Sequence, residues 1–174
     1  SRLHFIYAGV EHNFTPQLNG SLRGGVQLRD YTDVPAGSGL DDSSTNPYVD
    51  GNLSYLYNPG SYVLFGYRYQ STATDLTVLD AQTHLVYLNW THRITARLNA
   101  NLTYQWQLSD FNQGFSGALD STEDMFNIFG FNLSYSINEF LSAEAGYNFD
   151  DLDSDSAGRS YTRHIGYVGL RATY

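Results

Sequence analysis

The chain has no cysteine, no lysine, a single methionine and no apolar run long enough for a spanning helix. The missing cysteine excludes a disulfide framework and any thiolate metal site. With no lysine, all nine basic residues are arginine, set against 18 acidic ones for a net charge of -9. A water-facing surface normally mixes lysine with acids, so this composition argues against an ordinary soluble exterior. The negative balance makes nucleic acid a poor partner. Without about 18 consecutive apolar residues there is no transmembrane helix. If the chain sits in a membrane, it must be as a closed β-barrel, because lipid offers unpaired backbone groups no partner. Ser1-Arg2-Leu3 leads straight into a strand-like run with no leader peptide. A secreted precursor would have lost one, so export remains open.

Aromatic residues are abundant: fifteen tyrosines and ten phenylalanines in 174 residues. Period-two alternation is present almost throughout. Leu98, Ala100, Leu102, Tyr104, Trp106 and Leu108 alternate with Asn99, Asn101, Thr103, Gln105 and Gln107. Leu18, Gly20, Leu22, Gly24, Val26 and Leu28 alternate with Asn19, Ser21, Arg23, Gln27 and Arg29, and residues 141–150 repeat the pattern. The pattern predicts nine strands, at 2–13, 18–31, 47–57, 61–71, 81–92, 96–108, 125–136, 140–150 and 160–174. Short connections near Thr15-Pro16, Asn58-Pro59-Gly60, His92-Arg93 and Asn138-Glu139 alternate with long polar ones at 32–46, 72–80, 109–124 and 151–159. Short periplasmic turns alternating with longer outer loops are what an outer-membrane barrel shows. The fold class expected is all-β, an antiparallel up-and-down transmembrane barrel, with 1–174 as one barrel domain or barrel segment.

Internal repeats run through the chain. Leu18-Asn19-Gly20-Ser21-Leu22 matches Leu98-Asn99-Ala100-Asn101-Leu102, an offset of 80, and the match returns at Gln27-Leu28 with Gln107-Leu108. His4, Tyr7, Gly9 and Phe14 correspond to His164, Tyr167, Gly169 and Tyr174 at an offset of 160. Eighty residues is four strands and 160 is eight, so the first strand resembles the last. Both duplication and convergence under a shared lipid-and-lumen constraint produce such text.

Charge gives a partly independent check on the alternation. Arg23, Arg29, Asp50, Arg68, Glu144, Asp150, Arg163 and Arg171 all fall on the polar phase of their strands. An arginine on the lipid face at mid-membrane costs about 2–4 kcal/mol, so this one-sided placement is expected of a membrane barrel. A soluble lipocalin-type barrel alternates equally well, with its apolar face inward. The polar face discriminates: here it carries Asn, Ser, Thr, Gln and Gly with sparse charge, which suits a lumen. The apolar phase ends in aromatics at Tyr55, Tyr57, Tyr67, Tyr69, Trp90, Trp106, Tyr135, Tyr147 and Tyr174. These are the expected membrane-interface girdles.

The last residues place Val168, Leu170, Ala172 and Tyr174 at alternate positions and end on an aromatic. This resembles the signal that outer-membrane proteins of Gram-negative bacteria present to their assembly machinery. The whole chain resembles the C-terminal part of the β-barrel porin families, by pattern rather than by a diagnostic motif. The resemblance implies an outer-membrane location, a periplasmic C-terminus and extracellular long loops. Single-chain bacterial barrels have even strand numbers, and nine are read here. Either the chain is part of a barrel of about 16–18 strands, completed by N-terminal strands or a further chain, or the first segment is not a wall strand.

Candidates for chemistry are few, and no enzymatic activity and no cofactor is expected. His4, His12, His84, His92 and His164 form no close ligand pair. Ser160, His164 and Asp150 could be imagined as a catalytic set. Asp150-Asp151-Leu152-Asp153-Ser154-Asp155 lacks the glycine and glutamate of a calcium loop, so a solvated acidic loop is the plain reading. Triplets such as Asn52-Leu53-Ser54 match a glycosylation pattern that alternation creates automatically. The eight charges above are the functional candidates, lining a channel if the barrel is wide and pairing across a filled core if it is narrow. The leading expectation is a porin-like wall for passive diffusion of small hydrophilic solutes. The alternative is a small non-conducting barrel with a structural or surface-interaction role through its acidic loops. Lipid, lipopolysaccharide and the assembly machinery are the expected partners.

Overall fold

The computed structural model describes residues 2–30, 43–73, 80–111 and 122–172. Nine strands form one antiparallel sheet in sequential order: β1 (Arg2–Asn13), β2 (Leu18–Asp30), β3 (Ser43–Asn58), β4 (Ser61–Ala73), β5 (Asp80–Arg93), β6 (Leu98–Phe111), β7 (Thr122–Ser136), β8 (Leu141–Ser154) and β9 (Tyr161–Ala172). Among the described residues there is no helix, and the sheet is not closed: β1 pairs only with β2 and β9 only with β8.

The ladders are nearly unbroken, so one register fixes which residues share a face. Starting from the opposed pair Asp50↔Arg68, one face collects Arg23, Arg29, Asp50, Arg68, Glu144, Asp150, Arg163 and Arg171. The other collects Ile6, Val10, Leu22, Leu53, Phe65, Leu102, Phe131, Val168 and Leu170. Burial is inverted relative to a water-soluble protein. Gln27, Arg29, Asp50, Thr83, Ser109, Asp124 and Asp150 are buried on the polar face, while Ile6, Val10, Leu22 and Leu170 stand exposed on the apolar one. An extended surface of exposed aliphatic side chains is unfavourable in water and suits a hydrocarbon phase.

The strands extend further than the alternation predicts at the end bearing the long connections. β3 begins at Ser43 rather than 47, β6 runs on to Phe111 and β7 starts at Thr122. The stretch read as an acidic loop from 151 is strand as far as Ser154. Its aspartates alternate: Asp150 on the polar face, Asp151 and Asp153 on the other. Beyond a membrane a face need not be apolar, so the period-two signal fades while backbone pairing continues. His92-Arg93, read as a turn, lies in β5; the turn follows at Ile94–Arg97.

The 80-residue repeat is visible as structure. Thr15 closes the β1–β2 turn by accepting Gln17 and Leu18 N–H groups on its hydroxyl, and Thr95 accepts Arg97 and Leu98 identically at β5–β6. The β3–β4 turn departs from this, with Pro59 and a positive-φ Gly60 and a register shift between Leu56 and Asn58.

Candidate functional site

The polar face carries its charge as neighbouring-strand ion pairs. Asp50 and Arg68 are directly opposed on β3 and β4, and Arg68 Nε donates to Asp50 Oδ2 at 2.8 Å. Asp150 and Arg163 are opposed on β8 and β9, with Arg163 Nε donating to Asp150 Oδ2 at 2.8 Å and a second bond from the same guanidinium. Arg23 reaches Glu11 at 3.1 Å and Arg171 reaches Glu144 at 3.4 Å, both diagonally. The two opposed aspartates are buried, while their arginines stay partly open. Cross-strand opposite charges stabilise the sheet modestly. The fork of the guanidinium lets one arginine satisfy a carboxylate twice.

Arg29 belongs to a different arrangement. Pro47 has no N–H to offer β4, and the β3–β4 ladder ends at Val49↔Tyr69. β4 nevertheless continues, and the backbone of Ser71 would face the proline. The buried carboxamide of Gln27 answers it: Nε2 donates to Ser71 O at 2.6 Å, and Oε1 accepts from Ser71 N at 3.0 Å. Arg29 adds a bond to the same carbonyl at 3.3 Å. A side-chain amide thus stands in for a peptide unit that proline removed.

Sequence reading missed a second cluster, at the end bearing the long connections. Arg159 lies 2.7 Å from Asp124, which also accepts from Ser154 Oγ. Asp155 N donates to Glu123 O, and Glu123 N donates to Asp155 Oδ2, each at 3.1 Å. The guanidinium of Arg159 also sits over the Phe111 ring. The β8–β9 connection is therefore fastened to β7. Below it is a hollow of about 430 Å³, lined by Thr83, Gln107, Ser109, Phe111, Asp124 and Arg159 among others. No strand pattern announces this cluster, because Arg159 lies outside the strands. A second polar hollow, about 410 Å³, opens by Glu11, Asn19, Arg23 and Asn52 at the short-turn end.

On the opposite face the aromatics form two levels. Toward the long connections lie Tyr67, Tyr69, Trp106 and Tyr147. Tyr67 Oη bonds His84 Nδ1 at 2.9 Å, and Tyr147 Oη bonds His164 Nδ1 at 2.6 Å. Toward the short turns lie Tyr55, Tyr57, Trp90 and Tyr135; Trp90 Nε1 donates to Tyr57 Oη, which also bonds His92 Nδ1, both at 2.8 Å. His84 and His92, eight residues apart on β5, mark the two levels, about 26 Å along the strand. Val168, Leu170 and Ala172 share this face at the end of β9; Tyr174 lies outside the described residues.

The imagined catalytic set is not assembled. Asp150 is on the polar face with Arg163, His164 is on the other with Tyr147, and Ser160 Oγ is engaged by Ser154.

Comparison with known proteins matches this architecture. The family model described as "Putative beta-barrel porin 2" matches residues 83–174. No curated protein matches significantly. The chain is similar in fold to OmpT, an outer membrane protein of Vibrio cholerae folded in vitro, with a TM-score of 0.63 and 13% identity. That similarity covers 98% of this chain and 55% of OmpT, so the chain spans just over half the length of that barrel. The family model covers more than half of the chain, and the chain belongs to this β-barrel porin family.

Proposed function

We propose that the chain is wall of an outer-membrane porin through which small hydrophilic solutes diffuse passively. The observation that carries this reading is the inverted sheet: ion pairs with buried aspartates, such as Asp50–Arg68, on one face and exposed aliphatics on the other face of the same strands. In this reading the polar face lines a water-filled lumen. Arg23, Arg29, Asp50, Arg68, Glu144, Asp150, Arg163 and Arg171 set its field. Local pairing of these charges leaves no large net field, which suits a weakly selective channel. The apolar face contacts lipid, with the Tyr, Trp and His levels at the two interfaces. The long connections face outward toward lipopolysaccharide. The C-terminus lies in the periplasm, where Val168, Leu170, Ala172 and Tyr174 engage the assembly machinery.

Strand direction bears on how such a wall closes. In a nine-stranded antiparallel sheet β1 and β9 run the same way. Antiparallel closure therefore needs an odd number of additional strands, for an even total. A second copy in the same membrane orientation would add nine and meet that parity. Strands elsewhere in the same polypeptide meet it with any odd count, and the 55% coverage of OmpT favours the latter.

The test is conductance of the protein, extracted from outer membranes, in planar bilayers. Stepwise conductance is expected, and a preparation that inserts yet gives no steps sinks the reading. Arginines at the exposed polar-face positions Thr103 and Gln105 should move the reversal potential toward anion preference. An unchanged reversal potential in a conducting T103R/Q105R variant would show that this face does not line the pathway.

A further inference from the structure

The repeat makes β1, β5 and β9 equivalent strands, with His4, His84 and His164 in one position and Tyr7, Tyr87 and Tyr167 in another. At β5 and β9 the structure shows what these residues do to the preceding strand. Tyr87 is opposite Gly66 and Tyr167 opposite Gly146. In each case the tyrosine ring lies across the glycine: a Cβ at Gly66 would come 2.2 Å from Tyr87 Cζ, and one at Gly146 would come 2.4 Å from Tyr167 Cζ. With the ring in this position only glycine leaves room, and any larger residue would have to displace the ring. On the other face His84 takes the hydroxyl of Tyr67 and sits 4.7 Å from the ring of Tyr69. His164 takes the hydroxyl of Tyr147 and sits 5.1 Å from the ring of Phe149. Both preceding strands therefore carry one reading frame, Gly-Tyr-x-aromatic: Gly66-Tyr67-Arg68-Tyr69 and Gly146-Tyr147-Asn148-Phe149.

At β1 the same strand chemistry meets no preceding strand among the described residues. His4 is exposed, and the Tyr7 ring rests 6.1 Å from Tyr48, on the inner side of the sheet. We propose that the free edge of β1 receives an antiparallel strand carrying Gly-Tyr-x-aromatic, its glycine opposite Tyr7, its tyrosine opposite Ile6 and hydroxyl-bonded to His4, and its second aromatic opposite His4. This rests on the reading that the wall continues past β1, and it specifies sequence and register of the strand that continues it. The occupant is a strand of the same polypeptide outside residues 1–174. A second copy cannot supply the motif from β4 or β8 without breaking their pairings with β5 and β9.

A photo-reactive benzophenone amino acid in place of Ala8, in the protein as it is made in the outer membrane, tests this. Ala8 is exposed on the apolar face, in the position equivalent to Leu88, which opposes Phe65. The expected adduct is with the residue just before the glycine of a Gly-Tyr-x-aromatic segment, read by mass spectrometry. A valine in place of that glycine should then abolish the adduct or shift it along the strand. An adduct on a strand lacking the motif, an adduct in another register, or one that survives the valine overturns the proposal while leaving a continued wall intact. Adducts to lipid alone overturn both.

Discussion

Strands β1–β4 and β5–β8 are two copies of one design, and within the span of the alternation they differ in charge on one face only. On the apolar face the copies share residues at several positions: Leu18 with Leu98, Leu53 with Leu133, Tyr55 with Tyr135, Tyr67 with Tyr147, and His4 with His84. The polar face keeps its small and structural residues, Asn19 with Asn99, Asn52 with Asn132 and Gly66 with Gly146. Its charges are not kept. Arg23, Arg29, Asp50 and Arg68 correspond to Thr103, Ser109, Gly130 and Asn148, and Glu144 and Asp150 correspond to Leu64 and Gln70; on β9, Arg163 and Arg171 stand where β5 has Thr83 and Thr91. If both copies meet the same hydrocarbon, as proposed above, apolar and aromatic residues satisfy both, with size free to vary, as at Val10 with Trp90. The charge on the other face is free to differ around the wall, and that is where the two copies are individual.

The largest effect should come from breaking the shared face. Leu22→Arg and Leu102→Arg occupy equivalent positions in mid-strand and should each cost about 2–4 kcal/mol in a lipid bilayer. Thr103→Arg copies Arg23 into the second half on the polar face and should cost less than about 0.5 kcal/mol. Urea titration of the protein refolded into vesicles, with the heat-modifiable band on a gel as the folded signal, separates these outcomes. A Leu102→Arg protein as stable as Thr103→Arg would remove the assignment of lipid to that face.

A smaller effect should sharpen the difference between the copies. Asp50 is buried and bonded to Arg68, whereas the second copy has neutral Gly130 and Asn148 in these places. Asp50→Asn should cost about 1–3 kcal/mol, because a charge-assisted bond is lost and Arg68 keeps its charge without the carboxylate. Adding Arg68→Asn, which carries the residue of the second copy, should return at least half of that loss. A double-mutant cycle in the same urea titration measures the coupling. Independent, additive losses would mean that the pair is coincidental geometry rather than a linked unit.

How much of this was legible beforehand follows from which constraints write themselves into the sequence. The lipid does: Leu98 to Leu108 could be assigned to a face from alternation alone, and all nine strands were visible. The eight charges fell on one face because a misplaced arginine in hydrocarbon is expensive. The bonds among them were not legible, since Arg23 with Glu11 and Arg171 with Glu144 depend on diagonal register. Gln27 looked like one more polar-phase residue. Its bond to Ser71 exists only because Pro47, on a different strand, ends a ladder. His84, His92 and His164 are tyrosine partners, and the place of His84 midway between the matched His4 and His164 was the unused signal.

The smallest test concerns the four short turns, three of which share a chemistry but not always a residue. Thr15 and Thr95 each accept two backbone N–H groups on a hydroxyl, and Asn138 takes over with its Oδ1, accepting Phe140 and Leu141 N–H at 2.9 and 2.8 Å. Side-chain oxygens that close a turn on their own backbone are interchangeable in kind. Asn138→Thr should therefore stay within about 0.5 kcal/mol of the parent, while Asn138→Ala and Thr95→Ala should each lose about 0.5–1.5 kcal/mol. The fourth short turn uses none of these residues: Pro59 presets its backbone and Gly60 adopts φ 79°. Gly60→Ala strains that positive φ and should cost about 1 kcal/mol through conformation alone. If Asn138→Ala instead left stability untouched, the side-chain bonds would be incidental and the turns would be set by strand pairing on either side.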